Sequence, residues 1–222
     1  MKKVLRRRTG LGRFADRRDA GRALAGLLAS YRGRTDVLVL GLARGGIPVG
    51  WEVAAALHAP FDAFLVRKLG APDWPELAMG ALAGGGGLVL NTDVIRSLDV
   101  SDSQLQATIR AETAELRRRE RVYRGDRPPP ELAGRTVILV DDGVATGASM
   151  FAAVRGVRAA GCESVVVAVP VGAESTCRAL RAEADAVLCV CTPPDFSAVG
   201  QLYDDFRQTG DDEVRQLLAT PT

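Results

Sequence analysis

Residues 137–149 read Val137-Ile-Leu-Val-Asp-Asp-Gly-Val-Ala-Thr-Gly-Ala-Ser149: four apolar positions, an acid pair, then small and hydroxyl-bearing residues. With Thr136 in front, the apolar run is continuous, as expected of a strand buried on both faces of a parallel sheet. The acids then sit at its exposed end, where adjacent carboxylates repel and cost free energy unless a partner relieves them. A ligand with two vicinal hydroxyls, or one carrying Mg²⁺, supplies that relief. Thr146, Gly147 and Ser149 add hydroxyls and close backbone approach at the start of the following helix, which is what holding a phosphate requires. Acids for a diol and a metal, followed by a phosphate cradle, describe a site for a ribose 5-phosphate.

Strand and helix patterns alternate outward from this segment. Residues 36–41 form a second apolar run ended by Gly41, and residues 47–57 follow as a helix with Pro48 tolerated in its first turn. Residues 61–69 read as one strand ending in the basic pair Arg67-Lys68. Residues 70–87, with Pro72, Pro75 and four consecutive glycines from Gly84 to Gly87, read as a loop that has little to pack with. A short strand at 88–90 precedes a capping box, Ser101-Asp-Ser-Gln104, which opens a long helix to about Arg124. Its apolar stripe is Leu105, Ile109 and Leu116, and the pairs Glu115–Arg119 and Glu120–Arg124 lie on its wet face. Strands at 136–140, 164–171 and 186–191 and helices at 148–160 and 174–183 complete the pattern. Short strands alternating with helices imply an α/β fold, a doubly wound parallel sheet covered on both faces.

The 222 residues, 47% apolar and 25% charged, are enough for a real core without disulfide or metal staples. No stretch approaches the roughly 18 apolar residues of a membrane span, and a secretory signal is not expected, since the charged residues 1–8 are followed by no apolar run. Cys162, Cys177, Cys189 and Cys191 lack zinc-site spacing and read as reduced core residues, which points to the cytoplasm. His58 stands alone as a helix-end cap, so a histidine-based metal or catalytic cluster is excluded. Charge is unevenly placed: residues 1–34 carry eleven Lys/Arg against Asp16 and Asp19, while 195–222 carry six acids against Arg207 and Arg215. Such an arm can meet nucleic acid or fold back on the acidic C-terminus. Without interleaved aromatics, nucleic acid is not expected as a partner.

Ligands of open parallel sheets bind outside the carboxyl ends of the strands. Three segments fall there: Ala43-Arg44-Gly45-Gly46, Arg67-Lys68, and the loop from Asp141 to Ser149. The spacing from Gly143 to Gly147 is one residue short of a P-loop and no lysine follows; Gly41 to Gly46 lacks the middle glycine of a dinucleotide fingerprint. Taken alone, the acid pair also suits a helix-entry cap, Arg44 a surface arginine beside a turn, Lys68 a solvated strand end, and Glu76 a solvated loop carboxylate.

The segment 137–149 resembles, position by position, the 5-phosphoribosyl-1-pyrophosphate (PRPP) signature of the type I phosphoribosyltransferases, and the resemblance spans about residues 36–192. It implies a core at 35–192 and a small hood built from the C-terminal segment 193–222 and the basic segment 1–34. It implies that Asp141 and Asp142 bind the ribose 2- and 3-hydroxyls and the Mg²⁺ shell. Gly143 and Val144 would continue the PRPP subsite, and Ala145, Thr146, Gly147, Ala148 and Ser149 would cradle the 5-phosphate. Arg44, Gly45 and Gly46 would hold pyrophosphate, with Arg67 and Lys68 adding charge; Asp141, Asp142, Lys68 and Arg44 would serve the chemistry. Residues 70–87 would be a lid, and Phe196, Tyr203 or Phe206 would stack the acceptor. The implied reaction is Mg²⁺-dependent transfer of phosphoribose from PRPP to a base or other amine with release of pyrophosphate, in a homodimer. The alternative is a regulator that binds PRPP or nucleotides, or a DNA-uptake accessory protein, on the same fold.

Overall fold

The computed structural model describes residues 12–75, 77–125 and 127–222. In chain order it contains α1 (Arg17–Leu27), β1 (Val37–Leu42), α2 (Gly46–Leu57), β2 (Phe61–Phe64), β3 (Val66–Gly70), β4 (Ala78–Ala83), β5 (Leu88–Leu90), α3 (Thr92–Ser97), α4 (Asp102–Arg124), β6 (Thr136–Val140), α5 (Ala148–Ala159), β7 (Ser164–Val171), α6 (Glu174–Leu180), β8 (Ala186–Cys191) and α7 (Asp211–Ala219). No helix among the described residues is long and apolar enough to cross a membrane.

The apolar runs pair as one parallel sheet, ordered β2-β1-β6-β7-β8. Every residue of β1 and β6 is buried, which explains their unbroken apolar character. On one face α1 and α2 pack over Val37, Val39, Ile138 and Val140. On the other, α5 packs over Leu38, Leu40, Val137 and Leu139. The helices following the neighbours β1 and β6 thus leave toward opposite faces, so the crevice between their ends is the switch point of the sheet.

Two sequence expectations are corrected. Residues 61–69 are not one strand. Phe64 ends the pairing with β1, and after Leu65 the chain joins a separate antiparallel sheet, β3-β4-β5. Nor are residues 70–87 a loop. Met79, Ala81, Leu82 and Ala83 are buried, and β4 is hydrogen-bonded to both β3 and β5. Gly87 is a packing position: a Cβ there would drive into the Ala152 carbonyl and the Gly156 backbone of α5. Gly87→Ala is therefore expected to cost about 1–3 kcal/mol as an overpacking substitution. The readout is the urea midpoint, and an unchanged midpoint would refute the close packing. The turn left at the tip exposes Trp74; Glu76 lies outside the described residues.

The capping box of α4 forms as read, with Ser101 and Gln104 bonding reciprocally. Leu105 and Leu116 are buried and Ile109 half-buried. Arg124, however, is turned inward onto Asp62 of β2, with only 9% of its side chain exposed. The helix at 174–183 stops at Leu180. Helices α1, α3 and α7 had no signal strong enough to be read. His58 caps α2 in the left-handed region, and the four cysteines are free.

Residues 12–16 fold back on the C-terminal segment. Phe14 bridges Tyr203, and the backbone amides of Asp204 and Asp205 donate to the carbonyls of Phe14 and Ala15. Phe14, Ala20, Val171 and Tyr203 form a small core there, beyond the carboxyl ends of the strands. Residues 1–11 of the basic arm lie outside the described residues.

Candidate functional site

The acid pair lies in the crevice between β1 and β6. Gly46 packs directly under it: a Cβ there would stand 2.9 Å from the Asp141 Cα, and one at Gly45 would collide with the Asp142 carboxylate. The glycines of the 43–46 loop therefore let two strand ends approach to backbone contact. The Ala43–Arg44 peptide bond in this loop is cis. Arg44 reaches α7, its Nη1 3.4 Å from Asp211 Oδ1, which also accepts from the Tyr123 hydroxyl at 2.7 Å.

Asp141 Oδ1 accepts from the Asp142 amide at 2.9 Å. Burial, then the neighbouring Asp142 charge, holds the Asp141 carboxyl well above the usual carboxylate range. Burial also raises Asp142, with Arg17 pulling in the opposite direction. Arg17 Nε donates to Asp142 Oδ2 at 2.8 Å, and Nη2 lies 2.8 Å from the same oxygen. The Tyr203 hydroxyl donates to the Asp142 carbonyl at 2.6 Å.

Beyond the acids, the loop is anchored and then opens. Val144 is buried and exchanges backbone hydrogen bonds with Val171 and Ala173, both 2.9 Å. Ala145, Thr146 and Ser149 are exposed. Gly147, the N-cap of α5, has φ +82°, a conformation that strains any residue with a Cβ. Thr176 of α6 holds the loop by donating to the Ala145 carbonyl. The result is a turn of exposed backbone leading into the positive end of a 12-residue helix, a good anion seat.

The remaining sequence-derived candidates are distributed unevenly. Arg67 and Lys68 lie on β3, in the second sheet, not at the end of a main-sheet strand; Arg67 is paired with Glu112 of α4 at 2.6 Å, and Lys68 lies opposite Ala81. Tyr203 is 3% exposed and occupied as a tie, so it offers no stacking face. Phe206 is 37% exposed and carries the Arg17 guanidinium 4.1 Å above its ring. Arg17 had no sequence signal, because its partner lies 125 positions away.

A family model for the phosphoribosyl transferase domain matches residues 84–207, more than half of the chain and including the acid pair and the loop to Ser149. The chain belongs to the phosphoribosyl transferase family. Two Mycobacterium tuberculosis proteins, MT0597 and Rv0571c, whose names place them provisionally in this family, are each 48% identical over 205 residues, covering 92% of this chain and 46% of their own length. The chain thus spans about half the length of the curated relatives it matches. The crystal structure of TT1426 from Thermus thermophilus is 46% identical, covers 93% of this chain and 97% of its own, and superposes with a TM-score of 0.78. The AQ2163 protein from Aquifex aeolicus shares the fold alone, at 10% identity and a TM-score of 0.51 over 92% of this chain and 86% of its own. These likenesses agree with the doubly wound α/β fold read from the sequence.

Proposed function

We propose that this phosphoribosyl transferase family member moves the 5-phosphoribosyl group of PRPP to a nitrogen nucleophile, a nucleobase or a related amine, and releases pyrophosphate. The observation that carries the reading is the continuous path formed by Gly45, Gly46, Asp141, Asp142 and the loop into α5 at the switch point of the sheet. In this reading Asp141 and Asp142 accept hydrogen bonds from the ribose hydroxyls. Ala145, Thr146, Gly147, Ala148 and Ser149 wrap the 5-phosphate, Gly143 and the anchored Val144 join them to the acids, and Arg44, Gly45 and Gly46 face the pyrophosphate. Arg44 would have to leave Asp211 to contribute its charge. Arg67 and Lys68 take a lesser part, since β3 carries them in the second sheet.

The donor set suits Mg²⁺ carried in with the substrate. Two adjacent carboxylates are hard oxygen donors, and water and the phosphates of PRPP would supply the rest of the shell. When bound, Mg²⁺ would neutralise charge on the pyrophosphate leaving group. The chain's own residues position the ribose and present amides and cations to the oxygens that gain charge. The nucleophile's lone pair forms the bond to the anomeric carbon, the bond to pyrophosphate breaks with its electrons leaving on oxygen, and the displaced N–H proton passes to solvent.

Residues 35–192 act as the core in this reading, with α1 corrected from hood to a layer packed on the main sheet, and 12–16 with 193–222 as the hood. A homodimer and a cytoplasmic location follow from the family resemblance. PRPP with Mg²⁺ is expected to raise the melting temperature, since a ligand bound only by the folded state adds about 2.7 kcal/mol at a hundred times its Kd. A screen of purines, pyrimidines and their precursors for PRPP-dependent pyrophosphate release then tests transfer. A melting shift without release by any acceptor would favour a PRPP-binding regulator. No shift at millimolar PRPP would overturn the reading.

A further inference from the structure

We propose that Arg17 is a displaceable plug on the PRPP site: its guanidinium occupies the Asp142 carboxylate, and Mg²⁺-PRPP must lift it away to bind. The inference rests on the assignment of the acid pair to PRPP.

Contacts to three residues on two segments hold the plug. Two of its nitrogens lie 2.8 Å from Asp142 Oδ2, Nη1 donates to the Arg207 carbonyl at 2.7 Å, and the plane lies 4.1 Å above the Phe206 ring. Only 12% of the Arg17 side chain and 14% of the Asp142 side chain are exposed, so the contact is desolvated rather than a loose surface pair. With two donors on it, Asp142 Oδ2 cannot accept from a diol or join a metal shell until Arg17 releases it. Arg17 also covers the one exposed aromatic face of the hood segment, in the stacking geometry open to any planar group.

A second seat exists for the released side chain. A cleft of about 470 Å³ opens beside Arg17, lined by Asp16, Asp205 and Glu213 together with Arg18 and Arg207. Asp205 already holds Arg207, and Asp16 caps α1, which leaves Glu213 as the acceptor reached from α7. Released from Asp142, Arg17 would turn toward this second acidic lining, which would give it the second position a two-state element requires. Apparent affinity is lowered by the fraction of molecules in which the site is closed.

Calorimetric titration of Mg²⁺-PRPP into the wild-type chain, Arg17→Gln and Arg17→Lys tests this without any acceptor or turnover. Removing the plug is expected to tighten binding about tenfold in Arg17→Gln, corresponding to loss of one competing charge-assisted contact at about 1.4 kcal/mol per decade. Arg17→Lys retains a charge but loses the fork and the stacking, and is expected to fall between. It also serves as the folded variant should Arg17→Gln fail to fold. Unchanged or weaker binding by a folded variant would overturn the plug and make Arg17 a structural or substrate-binding cation. No binding by wild type and variants alike would overturn the PRPP assignment, and the plug with it.

Discussion

Replacing Asp141 and Asp142 together by Asn is expected to weaken Mg²⁺-PRPP binding by roughly 10²–10⁴-fold while the fold survives. Each hydrogen bond to a charged group contributes about 1.5–3 kcal/mol, and two are lost. Survival of the fold follows from the local geometry. The Asp142 amide keeps its place at the end of β6, the Tyr203 hydroxyl still reaches the carbonyl of that residue, and the side-chain oxygen of the introduced asparagine can still accept from Arg17. The pair also gives a pH signature. Both carboxyls are raised in the folded chain, chiefly by burial. A raised carboxyl stabilises the fold below its unfolded pKa, about 3.9, and that contribution is lost as pH rises through the folded value. The wild-type chain without PRPP should therefore lose stability over that window, and the double variant should not. PRPP affinity should rise over the same window, since the diol requires the ionised form. Calorimetry and melting curves across pH read both effects. Wild-type affinity in a folded double variant would make the acids structural.

The second large effect lies away from the site. Arg124→Ala is expected to cost about 3–5 kcal/mol, the usual consequence of removing one partner of a buried ion pair. Arg124 Nε donates to Asp62 Oδ2 at 3.0 Å and Nη2 to the Ala63 carbonyl at 2.9 Å, tying the end of α4 to the edge strand β2. The side chains are 9% and 12% exposed, so Asp62 would be left charged, buried and unpaired. Urea denaturation measures the loss. Replacing both partners by apolar residues, Asp62→Leu with Arg124→Met, is expected to recover most of it, because the penalty comes from the orphaned charge. A loss under about 1 kcal/mol for Arg124→Ala would show that water reaches the pair. Because β2 borders the 43–46 loop through the Ala43 amide and Phe64 carbonyl at 3.0 Å, this tie also supports the floor of the site.

Much of the molecule was legible in its sequence because the relevant physics is local. Strands buried on both faces must be apolar throughout, and the runs ending in Val140 and Val171 carry that signature in their own residues. The α4 capping box closes within four residues, and the Asp-Asp and Thr-Gly-Ala-Ser loop follows its strand without interruption. The second sheet was not legible. Gly80 and Gly87 look like turn formers, yet at Gly80 the Val89 backbone and at Gly87 the α5 backbone come against bare backbone, while Gly86 does make a turn at φ +87°. The same holds for Arg124, whose wet-face spacing is overridden by Asp62, and for Arg17, which reaches Asp142 across 125 residues. A sequence determines turns, caps and the period of burial, because these depend on near neighbours. Which charge meets which, and which glycine is a contact rather than a hinge, depends on desolvation between segments that only folding brings together.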